Sequence, residues 1–149
     1  MSLQQELLVD LLRDVSRGLG EHIRNVLTRH NLPLSTVIIM KKIEENPGIT
    51  ISELARQTGL AKSHISNIIE ELTQQGRVEK RTDPADQRIL RLFLSKSASA
   101  YLELIRADIR RLLSTLVSGI PEKRTAQIIE GLQDIQAALK SAKEKTGSI

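Results

Sequence analysis

Residues 50–94 read TISELARQTGLAKSHISNIIEELTQQGRVEKRTDPADQRILRLFL, and this stretch decides the fold. Thr50-Ile51-Ser52-Glu53 fits a capping box, with Thr50 as N-cap and Glu53 reaching back to it. Ile49 and Leu54 flank the cap at the spacing of a hydrophobic staple. Thr58-Gly59 ends this short helix, because glycine accepts the left-handed backbone that a tight turn requires. The next helix, about Lys62 to Gln75, places Ile65, Ile68, Ile69 and Leu72 on one face, and Gly76 stops it. Two short strands follow, Arg77–Arg81 and Ile89–Leu94, with Leu90, Leu92 and Leu94 expected to point inward. Between them lies a charged tip, Asp83-Pro84-Ala85-Asp86-Gln87-Arg88. Two helices in tight succession and then a small hairpin make a winged helix-turn-helix.

The flanks are helical. From Gln5 to Arg29, Leu8, Leu11, Leu12, Val15, Leu19, Ile23, Val26 and Leu27 form one stripe. Gly18 and Gly20 interrupt it and suggest a bend or a close helix contact. Asn31-Leu32-Pro33 ends this helix; a second is expected from Ser35, as N-cap, to Asn46, where Pro47-Gly48 stops it. Beyond the hairpin, Lys96–Ser118 carries Leu102, Ile105, Ile109, Leu112, Leu113 and Leu116. A last helix, with Pro121 as its first residue, carries Ile128, Ile129, Leu132, Ile135 and Leu139, and the polar tail from Lys140 is expected to fray. The outer stripes are too wide for the small winged unit to cover. Two chains packing their terminal helices would bury them, so a homodimer is expected.

The totals leave the class open but narrow it. The chain has 149 residues and a net charge of +4, which permits a nucleic-acid partner without requiring one. Between Thr50 and Leu94, seven Lys/Arg face six Asp/Glu, so any pull on phosphate depends on placement. Five of the seven lie between Arg77 and Arg91, on and beside the hairpin. The absence of cysteine removes disulfides and thiolate metal sites. One Phe, one Tyr and no Trp make stacking platforms for single strands an unsuitable reading, whereas reading duplex grooves needs no aromatics. No apolar run approaches membrane-spanning length and no signal segment leads the chain, so a cytoplasmic protein with no membrane partner is expected.

Helical geometry sets Ser63, Asn67, Glu70 and Gln74 opposite the apolar face, with His64, Ser66 and Glu71 at the margins. Alone, the helix pair reads equally well as an ordinary helical hairpin. Asp86 and Arg88, two apart at a hairpin tip, add a carboxylate able to aim a guanidinium outward. A narrow minor groove attracts an arginine presented in this way. As a solvated turn, the same pair is a surface salt bridge worth about 0–1 kcal/mol. Directly after a helix-turn-helix, the DNA reading is the stronger.

The chain resembles the MarR family of winged-helix transcription regulators along nearly its whole length. The resemblance rests on Thr50-Ile51-Ser52-Glu53-Leu54-Ala55, Gly59-Leu60, Leu72, Gly76, the wing from Arg81 to Arg88, and Leu94-Ser95. It implies a mainly α fold with a small β-hairpin wing over 1–149: a DNA-binding unit at 34–95 and helical dimerisation segments at 1–32 and 96–149. It also implies a homodimer on a pseudo-palindromic operator, repression relieved by a small-molecule effector, and double-stranded DNA as partner. Lys62, Ser63, His64, Ser66 and Asn67 then stand where the recognition helix meets the major groove. Arg88 stands where the wing enters the minor groove, with Asp86 as its brace and Arg81 on phosphate. Asn67 has the chemistry to pair with adenine in bidentate fashion. Ala61 departs from the serine frequent before the recognition helix and removes a cap.

Other chemistries find less support. His22 and His30 lie eight apart on the first helix and are read as neutral imidazoles on a solvated face, so no metal and no cofactor is expected. No phosphate loop or nucleophile elbow is present, and Ser63 and His64 point about 100° apart, so the chain is not read as an enzyme. The alternatives are a winged-helix protein-interaction module, or a small-molecule or metal sensor without specific DNA recognition. The sequence does not identify an effector pocket.

Overall fold

The computed structural model describes residues 1–147; Ser148 and Ile149, the end of the expected 96–149 segment, lie outside it. Among the described residues, eight elements run in the order α1 (Leu3–Arg29), α2 (Leu34–Glu45), α3 (Ile51–Thr58), α4 (Lys62–Gln74), β1 (Val78–Thr82), β2 (Leu90–Leu94), α5 (Lys96–Val117) and α6 (Glu122–Thr146). They divide into two compact units, 1–109 and 110–149, with the boundary inside α5.

The first unit is built around an aliphatic core. Ile39, Met40 and Ile43 of α2 join Leu54 of α3, Ile65, Ile68, Ile69 and Leu72 of α4, and Ala98 and Leu102 of α5. Val78 and Leu92 bring the hairpin into the same cluster, as does Ile49 ahead of α3. The α3 capping box forms as expected: the Glu53 amide donates to Thr50 Oγ1 at 3.2 Å and the Thr50 amide to Glu53 Oε2 at 3.5 Å. Gly59 closes α3 at φ +73°. The hairpin is antiparallel, with Val78 opposite Leu94 and Thr82 opposite Leu90. It joins the helices by backbone: the Gly48 amide donates to the Leu92 carbonyl at 2.8 Å, and the Leu92 amide to the Ile49 carbonyl at 3.0 Å. Arg106 of α5 pairs with Glu44 of α2 at 2.5 Å, and that hydrogen bond is the main cause of an arginine pKa above its ordinary value.

Several local expectations are corrected. Ser35 is not the N-cap of α2: Pro33, extended at ψ 147°, holds that position and its carbonyl accepts the Val37 amide at 3.3 Å. Pro121 likewise caps α6 rather than opening it. Gly18 and Gly20 neither break α1 nor touch a neighbouring element, since a Cβ at Gly18 would meet nothing and one at Gly20 only the Arg24 side chain. The polar tail stays helical to Thr146. The strands lie at Val78–Thr82 and Leu90–Leu94, and only part of the expected inward set is covered. Leu92 is fully buried and Leu94 packs on the core, but Leu90 is 42% exposed. Leu90 belongs to the last rung of the ladder and borders an open cleft beside the start of α3.

The outer helices expose their apolar residues. In α1 only Val26 and Leu27 are buried, and Leu7, Leu8, Leu11 and Val15 are open. In the second unit, no described residue of α6 is buried, and Ile128, Ile129, Leu132 and Leu139 lie on its surface.

The α4 N-cap, Ala61, makes no side-chain cap bond. Ala61→Ser is therefore expected to stabilise the protein by about 0.5–2 kcal/mol and Thr50→Ala to destabilise it by a similar amount. Urea unfolding of the two variants checks both signs.

Candidate nucleic-acid interface

The core-facing residues of α4 fix what its other side presents. With Ile65, Ile68, Ile69 and Leu72 buried, Lys62, Ser63, His64, Ser66 and Asn67 are all exposed. Glu70, on the same outer side, is held at 2.7 Å by Lys80 of β1, so its charge is locally compensated. The expected recognition set thus shares one exposed stretch of a single rigid helix.

The wing is organised by Asp83. One carboxylate oxygen accepts the amides of Ala85 and Asp86 at 2.8 and 3.1 Å, closing the tip as an Asx turn. The other accepts Arg91 Nε at 2.6 Å, and Arg91 Nη1 donates onward to the Gly48 carbonyl at 3.0 Å. A strut therefore runs from the tip, through β2, to the turn that precedes α3. The Arg91 hydrogen bond, followed by the two amides, holds the Asp83 carboxyl below the usual carboxylate range.

Arg88 projects from this frame with its side chain 94% exposed. Asp86 Oδ1 accepts the Arg88 amide at 3.0 Å but lies 3.7 Å from Arg88 Nε. Asp86 thus fixes the backbone of Arg88 while leaving its guanidinium only loosely held. Arg81 is differently engaged. Nε and Nη2 each donate to Glu79 at 3.1 Å, and the guanidinium lies 4.3 Å from the centre of the Phe93 ring. That hydrogen-bonded pairing lowers the Glu79 pKa and raises that of Arg81. Arg81 stands opposite Arg91 in the ladder, where like charges repel, and each carries its own carboxylate. Two N–H groups of Arg81 are taken by Glu79, so a phosphate must use the remaining ones or displace that carboxylate.

Between the start of α3 and the wing lies an open cleft of about 480 Å³, lined by Ser52, Arg56, Arg88, Leu90 and Arg91 among others. Sequence reasoning missed Arg56, Ser52 and the Asp83–Arg91 strut. Asp83-Pro84 did signal a turn, but the partner eight residues on appears only once the hairpin register is known.

The histidines stand apart. His22 and His64 are exposed, and no cluster of three or more His, Asp or Glu suited to a metal occurs among the described residues. His30 is not on a solvated face. Its Nε2 lies 2.9 Å from Asp108 Oδ2, its Nδ1 is 3.3 Å from the Tyr101 hydroxyl, and the rings meet edge to face at 5.7 Å. The fold turns this end of α1 onto α5, which the α1 periodicity alone could not show.

A helix-turn-helix with a polar outer face, followed by a two-stranded wing that presents an arginine, is a winged helix-turn-helix. Residues 32–90 match the model of the MarR family. Across 87% of the chain it is 21% identical to the HTH-type transcriptional regulator YsmB of Bacillus subtilis, covering 88% of that protein. It superposes on a MarR family protein from Bacillus stearothermophilus with a TM-score of 0.82 at 18% identity, covering 94% of this chain and 99% of the other. MepR, a transcription regulator of the Staphylococcus aureus multidrug efflux pump MepA, gives a TM-score of 0.77 at 18% identity, with 87% and 96% covered. At such identities these superpositions speak for the fold. No described helix is long and apolar enough to cross a membrane.

The depressed Asp83 pKa fixes a sign. The strut contributes stability above the ordinary carboxylate pKa, and that contribution is lost as pH falls through the lowered native value. Asp83→Asn should be less stable than the parent near pH 7, and the gap should close as the solution is acidified. Denaturant unfolding of both proteins from pH 7 to pH 2 measures it.

Proposed function

We propose that the chain is a sequence-specific regulator of transcription that binds double-stranded DNA as a homodimer, acts as a repressor, and responds to a small-molecule effector. The observation that carries this reading is the pairing of the exposed polar face of α4 with the outward Arg88 on one rigid frame. Lys62, Ser63, His64, Ser66 and Asn67 would enter the major groove, with Asn67 reading a base. Arg88 would enter the adjacent minor groove, positioned through Asp86, and Arg81 would hold phosphate. The family match over 32–90 supports the DNA-binding role.

Dimerisation through 1–32 and 96–149 is supported by the open stripes of α1 and α6, since apolar surface of this extent gains by burial against a second copy. A two-fold dimer needs a roughly palindromic operator with half-sites about 34 Å apart. An effector that favours a dimer with misplaced recognition helices weakens DNA binding, and DNA weakens the effector by the same factor.

Asn67→Ala should cost about 1–3 kcal/mol on the preferred duplex and relax selection at one base position. Arg88→Ala should weaken binding and reduce the salt slope by roughly one ion. Fluorescence anisotropy against specific and scrambled duplexes across a salt series reads both; a loss from Asn67→Ala that is uniform over all sequences speaks against base reading. Leu132→Asp should yield monomers in sedimentation equilibrium and lose specific binding, whereas an unchanged mass places the interface elsewhere.

A further inference from the structure

The open cleft between the start of α3 and the wing has two unlike walls. On the α3 side, Ser52 and Arg56 stand four residues apart, which sets them on one side of the helix. Both are exposed, and neither side chain has a hydrogen bond or ion pair among the described residues. The other wall is the wing from Arg88 to Arg91. There Leu90, 42% exposed, and the half-buried Ile89 give the cleft an apolar patch beside its cations.

The charges lining the cleft are uneven. Three arginines meet one carboxylate, Glu53. Glu53 is turned to the Thr50 amide, and Thr50 Oγ1 takes the Glu53 amide in return, so this carboxylate serves the cap of α3. Arg91 is engaged by Asp83 and by the Gly48 carbonyl, and it supplies shape more than charge. Arg56 and Arg88 remain, one on each wall, with Arg88 beyond hydrogen-bond reach of Asp86. Two cations lining one concave surface repel each other, and an anion seated between them removes that cost.

The geometry of a duplex selects the anion. A protein with one helix in the major groove and a hairpin tip in the adjacent minor groove must straddle the sugar–phosphate strand that divides them. In a helix-turn-helix the first helix, here α3, crosses that backbone. We propose that the cleft seats one phosphodiester strand of duplex DNA, with Arg56 and Ser52 on a phosphate and Leu90 against the adjoining deoxyribose. The Arg56 fork and the Ser52 hydroxyl both donate to phosphate oxygens, and the apolar patch suits the uncharged sugar. This contact rests on the DNA reading above and belongs to neither the recognition face nor the wing tip. A phosphate contact fixes register and carries no sequence information, so Arg56 is a positioning residue for α4 and Arg88.

The test follows fluorescence anisotropy of the full-length chain on the preferred duplex and on a scrambled one. A third series replaces one phosphate of the preferred duplex at a time with a neutral methylphosphonate. Arg56→Gln should weaken binding about 10-fold, lower the salt slope by about one ion on both duplexes, and leave base selection unchanged. Arg56→Lys should restore the slope. At one linkage the methylphosphonate should cost the parent protein about as much, and cost Arg56→Gln nothing further. Ser52→Ala should lose about 3-fold, and Leu90→Thr about 3-fold with its slope intact, while unfolding midpoints stay near the parent values. Unchanged affinity and slope in Arg56→Gln, losses that add at every linkage, or relaxed selection at one base position overturns the phosphate assignment. Full affinity in Leu90→Thr overturns the sugar contact. If no duplex is preferred, the regulator reading falls, and the slope on the scrambled duplex still decides Arg56.

Discussion

The wing depends on a backbone link between residues far apart in sequence. Gly48 and Ile49, in the turn before α3, exchange hydrogen bonds with Leu92 of β2, whose side chain is fully buried. This brings the hairpin into the helical core as a short third-strand pairing and leaves its outer rungs free to project. Gly48 serves the link three times: its amide donates to Leu92, its carbonyl accepts Arg91, and its φ of +88° makes the turn. A side chain there would be strained by the backbone before it met any neighbour.

The same economy governs the charges. Residues 50–94 are close to neutral, so a basic surface cannot come from numbers. It comes from pairing some cations and leaving others to solvent. Lys80 is drawn to Glu70, Arg81 to Glu79 and Arg91 to Asp83, while Arg88 projects with its guanidinium beyond hydrogen-bond reach of Asp86. The paired residues stiffen the platform. The projecting one is presented by it. This division gives a small hairpin both a fixed direction and an available charge, although its tip has no hydrophobic support.

What could be read from sequence was whatever is local. The Thr50–Glu53 box, the left-handed Gly59 and Gly76, and the Ile65–Leu72 stripe are each set within a few residues, and all appear as expected. Failures came where a distant element decides. Leu90 fits the alternation, but it borders an open cleft that the strand alone cannot show. Ser35 has the chemistry of a cap, but Pro33 has already fixed the chain direction. His30 sits on a polar stretch of α1, and only the approach of α5 gives it Asp108 and Tyr101. By sequence Arg91 is one more cation beside the wing; its role as strut follows from register. The residues of the polar α4 face were legible because helical period alone turns them outward.

Tyr101 carries a consequence of a different kind. The chain contains no tryptophan and a single tyrosine. That ring has Arg77 over its face and His30 against its edge, and its hydroxyl donates to the His30 carbonyl. Emission excited in the tyrosine band therefore originates at one place, the seam where α1, α5 and the root of the wing meet. Any rearrangement there changes the quenching of that ring, so the unmodified protein carries a built-in optical reporter of its own junction.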